Sequence, residues 1–349
     1  MSAGSAGAMG ATDVRFQDEF DFLPVWRQTL AQRTHQAVAS LSAIPDVVGL
    51  VLAGGLGRGA EWPLSDIDLI GIYADQTFEQ TKAHVDRVRT DLMAQWSAQG
   101  FAVSLDIKGI VFTASEVESA VRSQGSRVLP LLSDKRFYHG MDKVHGGQSV
   151  YDPDGLATSF LEWVNRERYS DEVKAARIAA KRRIRDEAQR TAQDLLDTQA
   201  QEATLSVAVD AAIVANTHLL MEIWGDRGSS RRGPTFSERC AAEQGETALV
   251  DDLFRLRRFD LASGHTRIVQ APELVRRYAS FSLEARALVG EEVTTAQNTR
   301  DAVVWEQGRV LREEDPPYAP WVGVDCDPAS IGARFDRLSD LIGSHLLLQ

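Results

Sequence analysis

Cysteine is scarce: Cys240 and Cys326 are the only two in 349 residues. That excludes a disulfide framework and a thiolate metal set, and leaves both as plain structural thiols. Positive charge is also short, with 38 Lys and Arg against 50 Asp and Glu and a formal net charge of −12. Such a chain lacks the broad basic surface that holds a nucleic-acid backbone. No nucleic-acid partner is therefore expected, and a small or cationic one is favoured. No apolar run reads as a membrane span. The most apolar stretch, Leu205 to Trp224, is interrupted by Asp210, Asn216, His218 and Glu222. The 7 histidines make no ligand spacing such as His-x-x-x-His, and no Ser-His-Asp or Cys-His arrangement is legible. His218, on that apolar stretch, reads as a satisfied core residue. The opening MSAGSAGAMGAT lacks the basic start and apolar centre of a secretion signal. It reads as a disordered tail over 1–14, and the expected compartment is the cytoplasm.

What is present is concentrated in LAGGLGRGAEWPLSDIDLIGIY, Leu52 to Tyr73. An apolar strand, Val47 to Ala53, runs into the Gly54-Gly55 turn. A second apolar strand, Asp66 to Tyr73, carries two carboxylates one residue apart. In a strand, residues i and i+2 share a face, so Asp66 and Asp68 are expected side by side. Adjacent carboxylates repel unless neutralised, and a hard divalent cation with oxygen ligands is the natural partner. Glycines upstream let the backbone approach a phosphate closely. The run Phe101 to Phe112 also reads as a strand, and Asp106 is its single acidic residue.

This ordered set resembles the active-site signature of the DNA polymerase β-like nucleotidyltransferase superfamily. The set is a strand, the pair Gly54-Gly55, Arg58-Gly59, Ser65-Asp66-x-Asp68, and a later strand with Asp106. It is most similar to the small-molecule, aminoglycoside-type branch. The commoner Gly-Ser is Gly-Gly here, so Gly55 offers only its backbone N–H. The resemblance implies that Asp66, Asp68 and Asp106 hold two Mg²⁺ ions. It implies that Gly54, Gly55, Arg58 and Ser65 contact the phosphates of ATP or another NTP. A basic residue early in the helical half would assist, and Lys181 is the candidate. Lys174, Arg177, Lys181 and Arg185 share one helical face, and a solvated basic face explains them equally well.

The coarse pattern is α+β. Residues 15–155 read as a nucleotidyltransferase domain, a twisted mixed sheet backed by helices. Residues 156–349 read as a helical bundle domain with a C-terminal extension. Asp21 to Ser42 and Thr77 to Gln99 read as helices, the second opened by a Thr77/Gln80 capping box. Phe137 to His139 reads as an edge strand. Val150 to Gly155 is a turn-rich break. Beyond it lie helical runs at Ala157–Glu167, Ser170–Ala200, Leu205–Trp224, Pro234–Ala248, Pro272–Val289 and Ser330–Leu348. Arg227, Arg231 and Arg232 fall in a Gly-rich loop and read as exposed.

The resemblance implies transfer of a nucleoside monophosphate to a hydroxyl, with release of pyrophosphate. The expected acceptor is a small molecule such as an aminoglycoside or natural product, which suits antibiotic resistance or tailoring. A homodimer is compatible with the resemblance. Two alternatives stay open: an antitoxin-like enzyme acting on a protein acceptor, and a non-catalytic nucleotide-binding module. A general base is not distinguished among Glu116, Glu118, Glu162 and Glu167.

Overall fold

The computed structural model describes residues 23–63, 65–100, 103–200, 202–225, 233–257, 261, 273–313 and 328–345. The segment 1–14, Arg227, Arg231, Arg232 and Cys326 lie outside the described residues. The chain divides into two compact units, Met1–Val173 and Lys174–Gln349.

The first unit is built on a five-stranded mixed sheet. Strands β1 (Val47–Leu52) and β2 (Ile67–Tyr73) pair antiparallel, with Val51 opposite Ile70. Strands β3 (Leu105–Asp106) and β4 (Val111–Thr113) both run parallel to β2. Strand β5 (Gln148–Tyr151) pairs antiparallel with β1. The run expected as one strand over 101–112 is thus two short ones, and residues 101 and 102 lie outside the described residues. The chain bends at Lys108 and Gly109, where a glycine removes the side-chain packing that would hold a strand straight.

Among the described residues this unit also holds the α-helices α1 (Trp26–Ser42), the single turn α2 (Gly54–Gly57), α3 (Phe78–Ala98), α4 (Ala114–Val121), α5 (Lys135–Val144) and α6 (Leu156–Glu167). Helix α1 packs on β1 and α3 on β2. The other face carries one apolar cluster. Val51, Ile70 and Ile72 of the sheet meet Val117 of α4, Phe137, Met141 and Val144 of α5, and Phe160, Trp163 and Val164 of α6. Phe112 sits at its centre, with the Phe137 ring 4.5 Å and the Phe160 ring 5.3 Å away.

Three local expectations are corrected here. Thr77 caps α3 by position only, and its side chain makes no capping hydrogen bond. The capping box is at α4, where Thr113 Oγ1 accepts from Glu116 N and Thr113 N donates to Glu116 Oε2 at 2.8 Å. Phe137 to His139 is helix, not strand. Asp134 accepts from Arg136 N at 2.7 Å and starts α5, and Phe137, Met141 and Val144 then fall on one buried face. The first unit also runs beyond residue 155, because α6 supplies Phe160 and Trp163 to the sheet's core.

The described part of the second unit is helical. It holds most of α7 (Asp171–Asp197), then α8 (Glu202–Ile223), α9 (Pro234–Gln244), α10 (Thr247–Leu256), α11 (Glu273–Leu288), α12 (Thr295–Glu313) and α13 (Pro328–His345). The helix expected over 234–248 ends early. Gly245 takes φ 73°, a left-handed C-cap that suits glycine, and α10 starts afresh at Thr247. Helix α8 is the centre of this unit's core. Val209, Ala212, Ile213 and Leu220 pack with Leu249 and Leu253 of α10 and with Ile331 and Phe335 of α13. Thr204–Ile223 is long and apolar enough to cross a membrane by composition, but 61% of its most apolar 18-residue window is buried within the protein. Its polar residues are accommodated internally. Glu222 accepts from Arg177 Nε at 2.9 Å, and Asp210 lies 3.7 Å from Arg257 and 3.9 Å from Arg334. His218 is exposed on α8 rather than part of the core.

Candidate functional site

The site lies where β1 turns into β2. The backbone is fixed first: Ala53 N donates to Asp68 O at 2.9 Å, so the end of β1 is tied to the start of β2. The chain then makes the single turn α2. Gly54 opens it with φ +64°, a conformation that costs an L side chain about 1–2 kcal/mol. Space demands glycine there as well. A Cβ at Gly54 would stand 2.8 Å from Asp68 Cγ and closer still to Oδ2. The Asp68 carboxylate therefore packs directly on the glycine turn. The first N–H groups of any helix have no acceptor within it, and here they belong to Gly54, Gly55 and Leu56.

Asp68 and Asp106 are neighbours by register. In the parallel pairing of β2 with β3, Ile67 is matched to Leu105 and Asp68 to Asp106. The two carboxylates converge on a single cation, the ammonium of Lys143. Its Nζ donates to Asp68 Oδ1 at 2.6 Å and to Asp106 Oδ2 at 2.6 Å. Both are charge-assisted hydrogen bonds, the stronger kind. Asp68 is nearly buried, with its side chain 10% exposed, whereas those of Lys143 and Asp106 are 34% and 40% exposed. Burial opposes the charge on Lys143, but the two carboxylates outweigh it and raise its pKa.

Asp66 stands one residue outside β2 and is exposed, so it and Asp68 do not share a buried strand face. The atoms around Asp66 still strip away enough water to raise its carboxyl above the usual range. The Asp68 charge adds to that rise and Lys143 opposes it. Ser65 holds the approach to Asp66. Its Oγ accepts from Trp62 N at 3.0 Å and its N–H donates to Trp62 O at 2.8 Å.

Arg58 has a different setting from the phosphate contact the resemblance implies. Its Nη1 donates to the carbonyls of Asp142 at 3.3 Å, Lys143 at 3.4 Å and His145 at 3.4 Å. It thereby caps the C-terminal end of α5, where a cation also suits the helix dipole. Buried Arg168 fixes the same helix end, with Nε donating to Asp142 Oδ1 at 2.6 Å. Two arginines thus locate the backbone that carries Lys143.

Lys181 lies in the second unit. It lines a cavity of about 70 Å³ there with Thr217, His218, Met221 and Glu222. Its helical face is not the solvated one weighed from sequence: Arg177 is buried, while Lys174, Lys181 and Arg185 are half-buried. Of the general-base candidates, Glu116 is held by Arg136 in the α4 capping box, and Glu118 pairs with Arg122 on the surface. Glu162 is exposed and Glu167 is buried beside Arg166.

Sequence reasoning missed Lys143. It is 75 residues from Asp68 and 37 from Asp106, so no spacing links them. The available signal was a lone lysine beside the apolar stripe of a helix, and that pattern is common on surfaces.

Among the described residues, no three His, Cys, Asp or Glu side chains converge as a metal cage. The donor set nevertheless fits a divalent cation. Two carboxylates already share one cation, and Mg²⁺ is commonly held by one or two carboxylates with substrate phosphates supplying further oxygens. With Asp66 ionised, three carboxylates and one ammonium leave the site two negative charges. No protein-family model matches this chain, and no curated protein matches it.

Proposed function

We propose that this protein is a divalent-metal-dependent nucleotidyltransferase. In this reading it moves a nucleoside monophosphate, AMP from ATP, to a hydroxyl of a small molecule and releases pyrophosphate. The observation that carries the reading is the register pairing of Asp68 with Asp106, both carboxylates turned to one cation beside the Gly54-Gly55 turn. The ordered motif from Gly54 to Asp68 supports it independently.

In this reading Asp68 and Asp106 hold the metal, with Asp66 at the exposed side of the same site. When bound, Mg²⁺ neutralises the triphosphate and stabilises the departing pyrophosphate. The protein's own groups do the positioning. The N–H groups of Gly54 and Gly55 meet phosphate oxygens at a turn where no side chain intervenes. Ser65 keeps the Trp62–Ser65 turn closed so that Asp66 and Asp68 keep their offset. Arg58 and Arg168 hold the end of α5, and Lys143 with it. A cationic acceptor such as an aminoglycoside suits the formal net charge of −12.

The test is pyrophosphate release with Mg²⁺, each common NTP, and a panel of aminoglycosides and related amino-sugars. Release that requires both an acceptor and Asp68 supports the reading. Absence of Mg²⁺-dependent nucleotide binding sinks it.

A further inference from the structure

We propose that Lys143 is a resident counter-cation that holds the Asp68–Asp106 pair against free divalent metal. A metal ion then gains these carboxylates only by displacing the ammonium. This inference rests on the reading of the pair as a metal site.

Lys143 Nζ takes Oδ1 of Asp68 and Oδ2 of Asp106, each at 2.6 Å. A metal ion shared by the same two oxygens would lie within a few ångströms of Nζ. At that separation two cations repel strongly, the more so where Asp68 is shielded from water. The two occupants therefore exclude each other.

The backbone at Lys143 is held by Arg58 on the carbonyls of Asp142, Lys143 and His145, and by Arg168 on the Asp142 carboxylate. The helix end stays in place while the four-carbon stem of lysine swings between rotamers. The Lys143 side chain is 34% exposed, so a path to solvent is open. Exchange is then a local side-chain motion.

Without the ammonium, Asp68 would be a nearly buried carboxylate beside a second one at the matched register position. That arrangement is unfavourable unless a cation is present. Lys143 supplies that cation, at the expense of affinity for free metal. A hydrogen bond to a charged group contributes enough that losing both should change metal affinity by about tenfold or more.

The experiment is Mn²⁺ titration of the full chain without nucleotide, read by the electron paramagnetic resonance signal of free Mn²⁺. Wild type, Lys143→Met, Lys143→Arg and the double variant Lys143→Met/Asp68→Asn are compared. The expected result is binding about tenfold or more tighter in Lys143→Met than in wild type. Lys143→Arg should stay close to wild type, and Asp68→Asn should remove the gain. A second measurement needs no variant. Acylation of Lys143 in wild type, followed by peptide mass spectrometry, should rise as Mn²⁺ saturates the protein. This measurement decides the matter if Lys143→Met does not fold. Suppose Mn²⁺ binds through Asp68, Lys143→Met binds no tighter, and acylation does not change. The proposal is then overturned while the metal-site reading stands. If no protein binds Mn²⁺ through Asp68, the metal-site reading falls and the proposal with it.

Discussion

Gly54 and Asp68 are packed so closely that no side chain fits at position 54. The glycine is left-handed at φ +64°, and any Cβ on it would overlap the Asp68 carboxylate. Gly54→Ala therefore meets both backbone strain and a displaced carboxylate. Strain of this kind amounts to roughly 1–3 kcal/mol. We expect a lower melting temperature together with loss of nucleotidyl transfer. Gly59→Ala is the comparison, since Gly59 is also left-handed at φ +67° but has no atom within 4 Å of its added Cβ. It should lose stability with little loss of transfer. Equal loss of transfer in the two would mean that the Gly54–Asp68 contact does not matter.

Asp106 tests the site with less structural damage. Its side chain is 40% exposed, so Asp106→Asn leaves no buried orphan. If it holds a catalytic metal, losing its charge removes several kcal/mol of transition-state stabilisation, a fall of at least about 10²-fold in kcat/KM. Pyrophosphate release measured beside a circular dichroism melt is the check. A well-folded variant with undiminished turnover would remove Asp106 from the site.

Arg136 is a stability prediction with a pH signature. Its Nη2 donates to Glu116 Oε1 at 2.6 Å and to Asp134 Oδ2 at 2.7 Å, tying the start of α4 to the start of α5. Hydrogen bonds from Arg136 hold the Asp134 carboxyl below its ordinary range, against a smaller effect of burial. A depressed carboxyl stabilises the fold above its unfolded pKa of about 3.9, and that contribution fades as pH falls through the folded value. Since the groups are about one-third exposed, Arg136→Met should cost about 1–2 kcal/mol at pH 7 after solvent screening. Urea midpoints at pH 7 and near pH 3 should differ less in the variant than in wild type.

Arg177 probes the helical unit alone. It is 2% exposed and meets Glu222, 7% exposed, through Nε at 2.9 Å. Arg177→Met strands a buried carboxylate, at a cost of about 3–5 kcal/mol. Double replacement with Glu222→Gln should recover much of that. Denaturant unfolding of the single and double variants is the check, and equal stability would contradict the pairing.

The legible parts of this protein are those written in short spans. The short apolar runs at 47–53 and 66–73 identified β1 and β2, and the two strands form with little correction. The Gly54-Gly55 pair between two strands marked the turn. Long helical periods beyond residue 156 marked the helical half. Less legible were features settled by competition between local options. The pattern over 101–112 suits a strand throughout, but Gly109 divides it. Phe137 to His139 suits an edge strand by composition, but the Asp134 cap commits it to helix. Thr77 and Thr113 both precede an acidic or amide residue at the right offset, and only Thr113 makes the reciprocal bonds.

Residue types and their order are legible along the chain directly: a glycine turn, two aspartates one residue apart, and the strand aspartate Asp106 about 40 residues on. Side-chain alternation and backbone freedom are local properties, so they can be read locally. The folded sheet set Asp68 opposite Asp106 and left Asp66 one residue outside β2, because strand register is set by pairing between distant segments. The tertiary structure also decided that Lys143 serves as their cation and that Arg58 holds the helix carrying it. Those contacts join residues 37 to 85 positions apart, and they exist only once the sheet and α5 have packed on a common core.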